Sequence, residues 1–131
     1  MDFVKKNAHH GTRLLLGLMF FVFGLNGFLN FLPQPPMEGA AAQFLGGLAS
    51  APYFFPLLKG TEVLVGLALL ANRFVPLALT VLAPITINIV AFHVLLAPEG
   101  MAMVVVIAAL HLFTMWAHRA AYATVLQARS L

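Results

Sequence analysis

The chain has 131 residues, of which 62% are hydrophobic and 8% charged, and it contains no cysteine. A soluble domain carries roughly a quarter charged residues, and a small one has a large surface to wet, so seven Lys+Arg and four Asp+Glu cannot keep this chain in water. Disorder is excluded by the same apolar excess, and disulfide scaffolds or thiolate metal sites by the missing cysteines. The net charge of +3 does not mark a nucleic-acid binder. Its basic residues stand at the ends of apolar segments rather than along one groove-facing surface.

In chain order, the apolar segments predict four crossings of about 20 residues, the length a bilayer core of about 30 Å requires. They run over about 13–32, 53–71, 74–97 and 101–118. Lys5 and Lys6 before the first segment resemble the start of a signal peptide. The apolar run is too long for one, however, and no small-residue cleavage site follows it directly, so the segment is expected to stay. Pro33, Pro35 and Pro36 then break the helix. Residues 37–50 predict a short interfacial helix, with Phe44, Leu45 and Leu48 on one face, too short to cross. Asn72-Arg73 and Ala97-Pro98-Glu99-Gly100 leave room only for tight antiparallel turns. The expectation is one domain over 1–131: an all-α membrane protein, a four-transmembrane-helix bundle with an interfacial helix between spans 1 and 2.

Basic residues set the direction. Lys5, Lys6, Arg13, Arg73, Arg119 and Arg129 fall on one side of four alternating crossings, whereas Glu38 and Glu99 fall on the other without a Lys or Arg. The positive-inside rule places both termini in the cytoplasm, across a bacterial-type inner membrane.

Ionisable and amide side chains inside spans are costly and turn toward the bundle interior. Six of them, Asn26, Lys59, Glu62, Asn88, His93 and His111, are expected between the midplane and the outer face, because helices rise about 1.5 Å per residue. They predict a polar pocket open to the outside and sealed below by hydrocarbon. Lys59 and Glu62 stand at i, i+3 on one helix face. Glu62 is the best candidate for an anchoring or proton-donating carboxyl; the competing reading is a self-neutralising pair that eases insertion. His93 and His111 raise the question of haem, but they differ in depth, and few further donors lie nearby, so neither haem nor a metal is expected. His111 is expected to bond a neighbouring helix, with Glu62 as one candidate partner. His118 is expected among headgroups at the inner interface, and His9 and His10 in solvent.

The remaining signals are architectural. Gly17, Gly24 and Gly27 on helix 1, and Gly60 and Gly66 on helix 2, suit close helix approach. Pro84 is expected to kink helix 3 and free the Thr80 carbonyl. Trp116 and Tyr122 fit an interfacial belt, and a basic amphipathic tail is expected after Ala117.

Arg13-Leu-Leu-Leu-Gly17-Leu-Met-Phe20, followed by Phe23-Gly24-Leu-Asn26-Gly27, resembles the first helix of DoxX-type membrane proteins. Glu62-Val-Leu-Val-Gly66-Leu-Ala-Leu-Leu70 is similar to the second helix of that family, and Asn72-Arg73-Phe74-Val75-Pro76 to the mouth of its third. The resemblance covers about residues 13–126. It implies a compact four-helix integral membrane protein associated with membrane redox complexes, with Glu62 as the one ionisable residue inside a family-like motif. Lacking cysteine and any cofactor motif, the chain would move electrons only through a bound quinone or a partner protein.

Three functions remain open on the sequence. The first is a quinone- or lipid-binding accessory subunit with a membrane redox partner. The second is a structural protein or small transporter whose polar residues only fix packing. The third is an enzyme for a lipophilic substrate with Glu62 as proton donor. Homo-oligomers are compatible with the glycine face of helix 1.

Overall fold

The computed structural model describes residues 2–31 and 36–129, with side chains from Asn7 onward at the start of the chain. Five α-helices appear among the described residues: α1 (Asp2–Leu29), α2 (Gly39–Ser50), α3 (Phe54–Ala71), α4 (Val75–Leu95) and α5 (Met101–Ala117). One 3-10 turn, Pro98–Gly100, leads into α5, and another, Arg119–Tyr122, follows it. No strand occurs among the described residues.

Four stretches are long and apolar enough to cross a membrane: Asn7–Leu29, Phe54–Ala71, Val75–Leu95 and Pro98–Ala117. The spans therefore match the expected ones, with shifted ends. Helix α1 begins well before Arg13 and stops at Leu29, where Asn30 turns left-handed (φ 52°) and its N–H bonds the Asn26 carbonyl. The expected end at Leu32, and Pro33 and Pro35, lie outside the described residues. The chain is an all-α integral membrane protein. Its large exposed side chains, among them Leu14, Leu18, Leu57, Leu64, Ile87 and Leu112, are the apolar coat a bilayer requires.

Packing runs in a ring. Helix α1 lies between α3 and α5, and α4 lies between α5 and α3. The α1–α3 seam is the most intimate, because glycine lets the backbones meet. A Cβ on Gly66 would lie 2.5 Å from the Phe21 nitrogen and 2.8 Å from the Gly17 carbonyl oxygen. One on Gly24 would lie 2.8 Å from the Val63 nitrogen. Gly60 has open space around it, so it is not part of this seam. The glycine face of α1 is thus consumed within the chain, which removes the ground for assigning it to a homo-oligomer.

Leu16, Phe20, Val65, Leu69, Leu79, Leu82 and Ile107 fill the core. Asn72 closes α3 in a left-handed cap: the Arg73 N–H returns to the Ala68 carbonyl and the Asn72 N–H to that of Leu69. Phe74, also left-handed (φ 53°), starts α4. This hairpin is tight at its turn but splays above it. The small residues Ala68 and Ala78 help line a groove of about 280 Å³ between α3 and α4.

Helix α4 remains α-helical through Pro84. At the far end α2 lies against α3 and α4, with Ala41 buried and Phe44 against Phe92 at 5.8 Å between ring centroids. The expected amphipathic tail is instead the short 3-10 turn and a run of turns. Tyr122 anchors it by donating to the Pro76 carbonyl at 3.0 Å.

Candidate functional site: a charged pair in the α1–α3 seam

Glu62 lies mid-way along α3 on the face turned to α1, on the core stripe that continues through Val65, Gly66 and Leu69. It is buried to 4% exposure, whereas the Lys59 side chain keeps 26%. Their charges meet at 3.2 Å between Lys59 Nζ and Glu62 Oε2. That contact is an ion pair without hydrogen-bond alignment, since Oε2 has no bonded partner. Lys59 can hold this pose because Gly27 of α1 has no side chain: a Cβ there would run into the Lys59 methylenes. Asn26, one residue earlier, is 5% exposed. The seam pairs Gly24 with Val63, so Asn26 and Glu62 lie within about a turn of each other in height.

Lys59 and Glu62 thus form a charged pair in an apolar seam, and Asn26 is a buried amide at a similar height on α1. The other three expected pocket residues do not join it. Asn88 is exposed on α4 and donates to the Pro84 carbonyl of its own helix at 2.8 Å. That bond back to its own helix goes with an exposed position, outside the bundle interior. His93 sits near the end of α4, its Nδ1–H on the Ile89 carbonyl at 2.9 Å and its ring against Gly100. Thr80 likewise bonds its own helix, donating to the Pro76 carbonyl at 2.9 Å.

His111 does join two helices, but not through Glu62. Its Nε2–H donates to the Leu79 carbonyl at 3.0 Å, and Nδ1 accepts from the Thr86 hydroxyl at 2.8 Å. A carbonyl only accepts, so the tautomer follows from the partners. Both nitrogens are spent on α4, leaving none for the carboxylate or for a metal. His111 also lies past the middle of α5 toward the end that carries the termini, not in the opposite half. No group of three or more His, Cys, Asp or Glu suited to a metal occurs among the described residues.

A second polar cluster forms where the sequence suggests only solvated flanks. Arg13 is 6% exposed. One guanidinium nitrogen donates to the Leu69 carbonyl, and another lies 3.5 Å from His10 Nδ1. The His9 ring packs on His10 at 4.1 Å and on His118 at 5.8 Å between centroids. Thr114 bonds Thr12 across α5 and α1 at 3.0 Å. His9 and His10 are thus half-buried rather than immersed in solvent, and His9 holds ring contacts with both His10 and His118. The available signal was spacing: Arg13, Leu16 and Phe20 recur at i, i+3, i+7, which puts Arg13 on the core stripe.

Comparison with known proteins finds no family model, no curated protein and no solved structure that matches this chain.

Proposed function

We propose that this protein is a DoxX-like accessory subunit of a membrane redox complex that holds a quinone or lipid headgroup at Asn26, Lys59 and Glu62. The observation that carries this reading is the Lys59–Glu62 pair. A carboxylate buried to 4% exposure, with an oxygen lacking an aligned donor, sits beside an ammonium that still reaches the surface. Helix insertion alone is served more cheaply by apolar residues, because a buried ion pair rarely beats a hydrophobic replacement. A quinone carbonyl or headgroup oxygen accepts from Lys59, and a hydroxyl or amine donates to Glu62. Few polar anchors in an apolar wall are what a lipophilic ligand requires. The order and spacing of the DoxX-like segments support the family reading. The collection of Arg73, Arg119 and Arg129 at the end with the termini supports cytoplasmic termini in an inner membrane.

The test is titration of detergent-solubilised protein with a short-chain benzoquinone, comparing wild type with the neutral double variant Lys59→Met/Glu62→Gln. The double variant leaves no unpaired charge, so its fold should survive. Binding should fall at least tenfold. Equal binding in a folded variant contradicts the assignment.

A structural role is the second reading, and His111 favours it. Both of its ring nitrogens, together with Thr86, serve only to fix α5 against α4. If the patch at Glu62 does the same, the double variant changes stability and nothing else. Turnover of a lipophilic substrate that disappears in Glu62→Gln would instead make Glu62 a proton donor.

A further inference from the structure

The described acidic side chains are Glu38, Glu62 and Glu99, and none of them is placed to neutralise Arg13. Asp2 stands eleven residues earlier on α1, about 16 Å along the axis. Glu38 and Glu99 belong to the opposite end of the bundle. Glu62 stands seven residues from Leu69, about 10 Å along α3, and among the described residues its ion pair is with Lys59 alone. A guanidinium buried to 6% exposure therefore lacks a counter-charge from the described residues, and its Nε lacks a hydrogen-bond acceptor. Burying a charge in this way is strongly unfavourable unless an anion accompanies it.

The surroundings of Arg13 are built to receive one. Side chains on a helix lean toward its N-terminus, so Arg13 reaches back toward His10, one turn closer to the membrane surface. An arginine can only donate, so His10 Nδ1 is the acceptor of this contact. The 3.5 Å contact between Arg13 and His10 is long enough to be exchanged for a stronger acceptor. The rings of His9 and His118 wall the same spot. Among the described residues no carboxylate competes for it. Asn7, one turn before His10, begins the apolar span, so the cluster occupies the first turns of that span.

We propose that Arg13 and His10, walled by His9 and His118, form a binding site for the phosphate group of a net-anionic molecule. Planar guanidinium forks match the oxygens of such a group bidentately. The site is separate from the Lys59–Glu62 patch and does not depend on its function. Phosphate can arrive as a lipid headgroup or as a free ion, and both sources share this chemistry.

Native mass spectrometry of the full chain in detergent tests the proposal, with dioleoylphosphatidylglycerol, dioleoylphosphatidylcholine and inorganic phosphate as probes. Wild type should hold phosphatidylglycerol about tenfold more tightly than phosphatidylcholine, and Arg13→Gln should abolish that preference. Arg13 also ties α1 to α3 through Leu69, so His10→Gln provides a variant that leaves this tie in place. It should weaken phosphatidylglycerol about threefold, through loss of the ring that flanks the guanidinium. Displacement of the lipid by millimolar inorganic phosphate supports the site with a free ion as its occupant, whereas retention supports it with a headgroup. Equal binding of the two lipids to wild type, or phosphatidylglycerol binding unchanged in a folded His10→Gln, overturns it.

Discussion

At Glu62 and Lys59 two opposite charges share one pair but not one environment. Lys59 has a long apolar stem and 26% side-chain exposure, so without its partner it can still extend toward the surface. Glu62 cannot, because its side chain is short and packed in the seam. The pair therefore predicts an asymmetry. Lys59→Met should cost about 1–3 kcal/mol, since it leaves a buried carboxyl with an unmatched acceptor. Glu62→Gln should cost less, and the double variant should return close to wild type. Denaturant melts of the three variants in one detergent check the order; a Glu62→Gln more damaging than Lys59→Met contradicts it. Much of this was legible from the i, i+3 spacing, which places both residues on one face. The spacing within one helix could not show that Gly27 of α1 vacates the space the lysine occupies. Nor could it show that Asn88 and His93 would turn to carbonyls of their own helix. In a membrane a polar side chain has no water to turn to, and the nearest acceptor is a carbonyl one turn back.

Among the elements, α1 and α3 are joined by glycine and α3 and α4 are not. Gly66→Ala should destabilise the protein by about 1–3 kcal/mol, because its Cβ meets backbone atoms of Phe21 and Gly17 that cannot move aside. Gly60→Ala, where nothing lies within 4 Å, should be neutral or stabilising through helix propensity. Thermal unfolding of both variants reads the difference directly. Sequence listed Gly60 and Gly66 together because both stand on one helix; only the pairing of faces separates them. The hairpin turn was legible, since Asn72 is among the few residues that accept a left-handed cap. The tail after Ala117 was not, because its end is fixed by one contact across the fold. That contact, Tyr122 on the Pro76 carbonyl, carries its own prediction. Burial raises the Tyr122 phenol above its ordinary range, against a smaller opposing effect of Thr80. A raised value means that the folded state favours the neutral phenol. The stabilisation is therefore complete below the ordinary phenol range near pH 10 and lost as pH rises through the folded value. Alkaline melts of wild type should show this loss, and Tyr122→Phe should remove that component; identical profiles contradict it.

For the molecule as a whole, the four-helix architecture follows from hydropathy and turn residues, because in hydrocarbon a helix must satisfy its own backbone. The ring order is a property of packing and had no sequence signal beyond short connections. The expected six-residue pocket resolves into the Lys59–Glu62 pair, a buried Asn26 at similar height on α1, an interhelical clamp at His111, and two residues bonded to their own helix. At the end bearing the termini, a buried arginine among imidazoles stands where charge counting suggested only solvated flanks. Counting basic residues gives a side of the membrane but not burial, which here depends on the helix stripe Arg13 occupies. Two polar centres thus lie at opposite depths, separated by a core of Leu, Phe, Val and Ile. The most direct measurement is mass spectrometry of organic extracts from wild type and Lys59→Met/Glu62→Gln purified side by side. A quinone or polar lipid at near-equimolar amount in wild type and depleted in the variant is the predicted result. The same extract from both proteins would contradict a ligand held at Glu62.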